Sequence, residues 1–397
     1  MLLARYYASV NSKYRVYPFV SGEVTPSECH ANMSSFCESG HVEQGMKLKS
    51  RFIALYQFSV TVFRIMKTST KLFALILTIA VLFTASTAFA DVKIAFSQIG
   101  QESDWRTANT DDLTKAISSH PGWTFIYDDA QQKQENQIKA LRNFITQGVD
   151  YILFTGVVTT GWDEVLKEVN EAEIPLLLID RMPDCADKIE YAAAFGGDFV
   201  EEGRRQVAWV GEYMKAKGRG DEDINLVIME GTTGAAAQTD RTKGNLEALK
   251  AYPHLKLIAQ QSGNFTRAEG QAVMESWLKS LPKIDVLVAQ NDDMALGAID
   301  AIKAAGKVPG KDIIIVGCDS VKAAFDAIVA GDMNCTVECT PLYGKFVVDA
   351  LEKLIAGEKL GRDIVHPAEG VFDTEGGINL GAVTSQKAAD VIATRVY

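Results

Sequence analysis

The sequence lacks the patterns that mark most catalytic and metal-binding sites. Its five histidines are scattered, and its six cysteines lack the C-x-x-C spacing of zinc and redox sites. It contains no glycine-rich phosphate loop, no nucleophile motif and no calcium loop of the form D-x-[DN]-x-[DN]-G, and no G-x-G-x-x-G follows the first strand-like run. We therefore expect no catalytic residues, no cofactor and no metal ion.

The cysteine pattern does not require disulfide bonds either. Cys335 and Cys339 would lie too far apart along an extended strand to form a bridge. A bond between more distant cysteines, such as Cys318 and Cys335, is left open by the sequence alone.

Positive charge is in deficit, with 40 lysine and arginine residues against 51 aspartate and glutamate residues, and a net charge of -11. Such a chain repels phosphate backbones, so we expect no nucleic-acid partner. The hydrophobic share of 47% and the charged share of 23% are ordinary for a globular protein. A length of 397 residues suggests about two domains, at roughly 150 residues each.

A secretion signal is predicted from Met66 onward. The run MKTSTKLFALILTIAVLFTASTAFA has a short basic start, an apolar stretch from Leu72 and a small-x-small ending, so we predict a signal peptide at 66–90 that is cleaved after Ala90. The apolar part is shorter than the roughly 20 residues of a membrane-spanning helix, and no stop-transfer charges follow it. Residues 1–65 are interpreted as a non-native upstream extension or a disordered segment, because a signal peptide normally opens its chain. The mature chain is then expected in the periplasm.

The mature chain alternates short apolar strands with amphipathic helices, and it does so twice. The first series contains VKIAFSQ, TFIYDD, YILFTG and PLLLID, and the second contains INLVIME, LKLIAQQ, VLVAQND and IIIVGCD. This order is typical of α/β proteins with parallel sheets, whose strands are buried on both faces. Two such lobes in tandem predict a ligand cleft where the carboxyl ends of their strands converge.

Polar and aromatic side chains gather at these predicted strand ends. Asp180 and Arg181 follow PLLLI, and carboxylate and guanidinium groups together bind neighbouring hydroxyls well. Trp105, beside charged neighbours, could stack on a sugar ring or pack in the core. A role as helix caps would explain Asp292 or Asp293. It does not explain Asn291, whose amide both donates and accepts hydrogen bonds, as a sugar hydroxyl requires. The candidate ligand-binding residues are Glu102, Trp105, Arg106, Asp180, Arg181, Arg241, Phe265, Asn291, Asp319 and Glu338.

The same stretches resemble ribose-type periplasmic sugar-binding proteins, and within that family most closely those that bind galactofuranose. The similar stretches run from Val92 to about Glu352, and they are specific in combination. They are FSQIGQESDWR, DAQQKQENQIKALRNFITQGVD, TGW, IPLLLIDR, TDRTKG, SGNFTRAEGQAVMESW, NDDMALGAI and VECTP.

The resemblance implies a periplasmic binding protein type I fold of the α/β class, with two Rossmann-like lobes joined by a three-crossing hinge. The N-terminal lobe would cover 91–195 and 340–372, and the C-terminal lobe would cover 196–339 and 373–397. The crossings are expected at Ala194–Gly197, Val337–Pro341 and Val371–Gly376.

It also implies that the ten candidate residues bind a monosaccharide, namely galactofuranose or a related furanose. Glu338 stands where ribose binders usually carry Gln, which favours the galactofuranose type. The implied partners are the permease subunits of an ABC transporter, with peripheral contact at the inner membrane, and we expect a monomer. The alanine-rich stretch GTTGAAAQ, Ser320 and the pair Met182-Pro183 depart from the family pattern.

Other functions are compatible with parts of the sequence. A ligand-sensing partner of a receptor would use the same fold and site. A sugar-modifying enzyme could use paired carboxylates such as Asp180 and Glu338 as acid and base, although no motif assigns them these roles. A repressor would need a basic helix-turn-helix ahead of the first strand, where the predicted signal peptide lies.

Overall fold

Alternating strands and helices begin at Val92, with the first of the apolar runs seen in the sequence. The computed structural model describes residues 91–397, so the expectations for 1–65 and for the signal peptide at 66–90 lie outside the described residues. Within 91–397, no helix combines the length and hydropathy that crossing a bilayer requires.

The first part of the chain builds a parallel sheet covered by helices. Its elements are β1 (Val92–Gln98), α1 (Asp104–Ser118), β2 (Trp123–Asp129), α2 (Gln134–Gln147), β3 (Tyr151–Phe154), α3 (Asp163–Glu171), β4 (Leu176–Ile179) and β5 (Ala193–Phe195).

A second sheet follows from the same alternation. Its first elements are α4 (Phe199–Ala216), β6 (Ile224–Glu230), α5 (Ala236–Leu249), β7 (Leu255–Ser262), α6 (Arg267–Ser280), β8 (Val286–Ala289), α7 (Asp292–Ala304), β9 (Ile314–Asp319), α8 (Lys322–Ala330) and β10 (Cys335–Glu338). The chain then forms α9 (Gly344–Ile355), β11 (Ile364–Val365), β12 (Val371–Asp373), β13 (Gln386–Lys387) and α10 (Ala388–Val391).

The strand orders are those of two doubly wound layers. The first sheet has the order β11-β5-β4-β3-β1-β2, and the second has the order β13-β12-β10-β9-β8-β6-β7. All neighbours in both sheets run parallel except β12, which is antiparallel to β10. The predicted fold class, two parallel-rich α/β lobes, is confirmed.

Buried strands explain why the sequence shows apolar runs instead of alternation. Every residue of β4 and of β8 is buried, because helices cover both faces of each sheet.

The four cysteines of the described residues, Cys185, Cys318, Cys335 and Cys339, are also buried, and all four are free. The bond between Cys318 and Cys335 that the sequence left open is therefore not formed.

The chain passes between the two sheets three times. It leaves the first sheet after β5, returns to it after β10, and leaves it again after β11. The expected position of the third passage, Val371–Gly376, is wrong. Val371 already pairs with Val337 of β10, and both Val371 and Phe372 are buried in the second core, so this crossing lies upstream, between Val365 and Val371.

Candidate functional site

A cavity lies between the carboxyl ends of the two sheets. Nine of the ten candidate residues line it, contributed by loops and helix starts of both sheets. The lining residues are Glu102, Ser103, Trp105, Arg106, Asp180, Arg181, Ala237, Arg241, Phe265, Asn291, Asp319 and Cys339.

Helix α1 places the first charged group of this cavity. Ser103 caps the helix by accepting a hydrogen bond from the backbone N–H of Arg106, and this fixes the first turn. Arg106 then donates from Nε to Glu102 at 3.1 Å and from Nη2 to Asp180 at 2.9 Å. Burial raises the pKa of Glu102, but Arg106 and Arg181 more than offset this, so its pKa lies below the usual value and the carboxylate is ionised.

Of the three arginines that line the cavity, Arg181 makes the longest contacts with its hydrogen-bond and ion-pair partners. Its Nη1 lies 3.4 Å from the Val157 carbonyl, and its distances to the carboxylates of Glu102 and Asp180 are 3.8 and 3.7 Å. Burial, and then repulsion from Arg106, lower the pKa of Arg181 to about 10, so it stays charged at neutral pH.

Three polar atoms of this wall are buried and have no hydrogen-bond partner within residues 91–397. They are Oε2 of Glu102, Nη1 of Arg106 and Nε of Arg181. Leaving such atoms unpaired costs about 1–3 kcal/mol each, and more for charged groups. A ligand that offers both hydroxyl donors and hydroxyl acceptors would satisfy them.

Backbone conformation turns several of these residues at the ends of their strands. Asp180, Phe265 and Asp319 have φ angles of 63°, 61° and 115°. Residues other than glycine rarely occupy this region, and the strain costs about 1–3 kcal/mol at each position. Strained residues of this kind cluster at binding sites, which agrees with their shared position on the cavity.

Arg241 on α5 supplies the cation of the opposite wall. It donates from Nε to Glu202 at 2.7 Å and from Nη1 to the Gln290 carbonyl at 2.6 Å, and its Nη2 lies 3.6 Å from Asp319. Burial raises the pKa of the Asp319 carboxyl well above its usual range, and Arg241 opposes that shift. Arg241 is thus held rigidly by groups of its own lobe.

Two residues at the start of α7 differ from the interpretation made from the sequence. Asn291 caps α7 itself, since its Oδ1 accepts from the Met294 N–H and its Nδ2 donates to the Phe265 carbonyl. Asp292 does not cap this helix, and instead its buried carboxylate accepts from Thr336 and from the backbone N–H of Val321.

Trp105 is 4% exposed and lies at the boundary between the lobes. Its indole N–H donates to the Cys339 carbonyl at 2.6 Å, and the Arg106 guanidinium lies 4.5 Å from the centre of its ring. One face of the ring is therefore covered by Arg106, and the residue combines the packing and the site roles that the sequence left open.

Glu338, the tenth candidate, does not line the cavity. Its Oε1 accepts from Arg395, and its Oε2 accepts from the Gly370 N–H at 2.8 Å. Neighbouring residues of an extended strand point to opposite sides, so Cys339 faces the cavity and Glu338 faces away from it. The expectation that Glu338 lies in the ligand cavity is wrong.

Contacts across the cavity hold the two lobes together. The Asp104 N–H donates to Asp293 at 2.8 Å, and Arg267 lies 3.1 Å from Asp293 and 3.4 Å from Asp104. The Arg181 guanidinium lies 5.2 Å from the centre of the Phe265 ring, which belongs to the other lobe. The structure is therefore a closed arrangement.

Sequence reasoning missed several residues that shape the cavity. Ser103, Ala237 and Cys339 line it, and Glu202 orients Arg241 from outside it. The alanine-rich stretch that contains Ala237 was noted as a departure from the family pattern, and this was the available signal. Glu202, in the run FVEEG, reads in sequence as an ordinary helix-surface charge.

Comparison with known proteins adds the family. Residues 94–359 match the model of the periplasmic binding protein domain. The chain is 44% identical over 267 residues to the galactofuranose-binding protein YtfQ of Escherichia coli K12, which covers 66% of this chain and 82% of that protein.

Two solved structures share this fold. One is a protein from Mycobacterium smegmatis in complex with β-D-fucofuranose, 45% identical with a TM-score of 0.68, covering 71% of this chain and 91% of that one. The other is the binding protein of the arabinose ABC transporter from Shewanella sp. ANA-3, bound to L-arabinofuranose, 38% identical with a TM-score of 0.68, covering 77% and 96%. With its family model matched over more than half of its length, the chain belongs to the periplasmic binding protein domain family.

Proposed function

We propose that this chain is the periplasmic sugar-binding component of an ABC importer, and that it captures a furanose such as galactofuranose in the cavity between its lobes. The observation that carries this proposal is the set of buried, unpartnered polar atoms on Glu102, Arg106 and Arg181. Sugar hydroxyls both donate and accept, as these atoms require.

The charge of the cavity favours an uncharged ligand. Three carboxyl groups and three guanidinium groups line it, from Glu102, Asp180, Asp319, Arg106, Arg181 and Arg241. A charged ligand would bring a further charge into this buried space, where unpaired charge is costly. A neutral molecule with many hydroxyl groups would not.

The enclosure of the cavity supports a small ligand such as a single sugar unit. Residues of both lobes line the cavity, and contacts between the lobes close around it. The furanose ring form is supported by the relatives, because YtfQ is named for galactofuranose and the two solved structures hold fucofuranose and arabinofuranose.

We propose that the lobes comprise 91–195 with 340–370, and 196–339 with 371–397, moving about the three crossings. Ligand contacts from both lobes would favour the closed state. The size of this shift would equal the difference between the ligand's binding free energies for the closed and the open states. The closed monomer would then present both lobes to membrane permease subunits. Delivery from the periplasm would follow secretion through the predicted signal peptide.

We propose no catalytic step. Of the carboxylates considered as an acid and base pair, Glu338 faces away from the cavity and binds Arg395, whereas Asp180 is held by Arg106. The acid and base pair considered from the sequence, Asp180 and Glu338, would therefore not flank a sugar bound in the cavity.

The test is calorimetric titration of the secreted, purified protein with galactofuranose, arabinofuranose, ribose and galactose. We expect saturable binding of at least one furanose without turnover, and a loss of about tenfold or more in affinity on Arg181→Ala. Arg142→Ala is the matched control, because Arg142 pairs with Glu168 on the surface. Conversion of a sugar, or no binding of any sugar, would contradict the proposal.

A further inference from the structure

Two glutamates and a cysteine meet beside Arg241, and the two glutamates are not among the residues that line the cavity. Glu202 lies on α4, Cys339 in the second crossing and Glu369 in the third, and one oxygen or sulfur atom of each lies within 4.8 Å of the others. Glu202 is fully buried. Glu202, which accepts a hydrogen bond from Arg241, thus lies in a cluster with residues of the second and third crossings.

The two oxygens of Glu202 differ in their surroundings. Oε2 accepts from Arg241 Nε at 2.7 Å, whereas Oε1 is buried and has no hydrogen-bond donor among the described residues. A Cβ placed on Gly197, in the first crossing, would overlap this Oε1 and lie 3.1 Å from Oε1 of Glu369. Both carboxyl groups therefore converge on the Gly197 backbone, and all three crossings meet here.

Two buried carboxyl groups this close cannot both be ionised. Oε2 of Glu202 already accepts a hydrogen bond from the Arg241 guanidinium, which leaves Glu369 as the carboxyl group that carries the proton. Burial, and then the charge of Glu202, raise the pKa of Glu369 to about 10. A protonated Glu369 supplies the O–H donor that Oε1 of Glu202 lacks.

We infer that Glu369 is protonated at neutral pH and donates its hydrogen to Glu202, and that this pair holds Arg241 in its position on the sugar cavity. Glu202 and Glu369 are then positioning residues, which act on the ligand through Arg241. The inference rests on the proposed sugar binding for its functional part, but the shared proton itself does not.

Other titratable and charged groups also face the pair. They are Arg205 on α4, Arg241 on α5, Cys318 and Asp319 on β9, Cys339 in the second crossing and Tyr343 before α9. Burial raises the pKa values of Cys318 and Cys339, so both stay neutral thiols. Arg241, already bound to Glu202, repels any metal cation from the cluster.

The decisive measurement is infrared spectroscopy of the full secreted protein at pH 7. Burial also raises the pKa values of Asp292 and Asp319, so we expect several bands of protonated, buried carboxyl groups in the wild type, and the loss of one of them in Glu369→Gln. Glu375→Gln is the control, since Glu375 is an exposed partner of Lys217, and it should leave the bands in place. No such bands, bands unchanged by Glu369→Gln, or a stoichiometric divalent metal in the purified protein would overturn the inference.

Sugar titration tests the positioning role separately. Glu369→Leu, which has no donor, and Glu202→Gln, which removes the charge facing Arg241, should each lower the affinity about tenfold or more. Glu369→Gln should restore most of it, because the amide N–H donates where the carboxyl O–H did. Equal losses in the Leu and Gln variants would refute positioning by this hydrogen bond. If the wild type binds no sugar, the proposed function fails while the infrared result still decides the shared proton.

Discussion

The guanidinium of Arg106 donates a 2.9 Å hydrogen bond to the Asp180 carboxylate, and so fastens the start of α1 to the end of β4. Both side chains are almost fully buried. Removing one partner of a buried ion pair leaves the other charge uncompensated. This pair is therefore part of the framework of the cavity and not only a potential ligand contact.

Asp180→Ala should lower the free energy of unfolding by about 3–5 kcal/mol, because Arg106 would lose its principal acceptor inside the protein. Urea unfolding of the wild type and the variant measures this change. Asp326→Ala removes an exposed partner of Lys322 and should change stability by less than about 1 kcal/mol. Similar losses of unfolding free energy in both variants would show that the buried pair stabilises the protein no more than an exposed one.

Glu102 should make the stability of the protein depend on acidity. Its pKa in the folded chain is below its ordinary value of 4.5, because Arg106 and Arg181 outweigh the effect of burial. Its contribution is present above the ordinary value and is lost as pH falls through the lower, folded value. The difference in melting temperature between wild type and Glu102→Gln should shrink from pH 7 to pH 3.

For this acid titration, Glu164→Gln is the matched control, since Glu164 lies on the surface in a long ion pair with Arg142. Its melting temperature should follow that of the wild type across the same pH range. A constant gap between wild type and Glu102→Gln would mean that the carboxylate of Glu102 is not ionised in the folded protein.

Glu338→Ala should destabilise the protein without removing a sugar contact. Arg395, which packs 4.6 Å from the centre of the Phe325 ring and 4.3 Å from that of Phe372, would lose its carboxylate partner in a largely buried place. We expect a loss of about 1–3 kcal/mol in unfolding free energy, and sugar affinity within about threefold of wild type. A large loss of affinity at unchanged stability would return Glu338 to the list of ligand-binding residues.

Gly231 makes room for the aromatic wall of the cavity. A Cβ at this position would overlap the Phe265 ring, so Gly231→Ala should push the ring aside and disturb its contact with Arg181. We expect sugar affinity to fall about tenfold, as for Phe265→Ala, in calorimetric titration. Gly361→Ala is the control, because a Cβ there meets no atom within 4 Å. Unchanged affinity in Gly231→Ala would show that the ring position is not important.

Much of this arrangement was accessible from the sequence because parallel strands leave a simple trace. Runs such as LLLI in β4 are apolar throughout since both faces are covered, and the residues after them, Asp180 and Arg181, must emerge at the cleft. Placement at strand ends was therefore enough to find most of the cavity.

The errors have physical causes in short or irregular segments. At the end of β10, a shift of one residue decides whether Glu338 or Cys339 faces the cavity, and no periodicity sets that register. The strand β12 is three residues long, too short for a recognisable pattern, which misplaced the third crossing. Capping by Asn291 was missed because the acidic residues that follow it are equally good caps in sequence.

The tendency of Glu369 to ionise should destabilise the folded protein at alkaline pH. Its pKa in the folded protein is about 10, above its ordinary value of 4.5, so the folded state holds a proton that the unfolded state releases. The stability from this group is fully present below pH 4.5 and is lost as pH rises toward 10, by at most about 1.4 kcal/mol per pH unit. Glu369→Gln keeps the donor and cannot ionise, so its unfolding free energy relative to wild type should increase from pH 6 to pH 9. Urea unfolding at several pH values measures this trend, and parallel curves for wild type and Glu369→Gln would place the proton elsewhere than on Glu369.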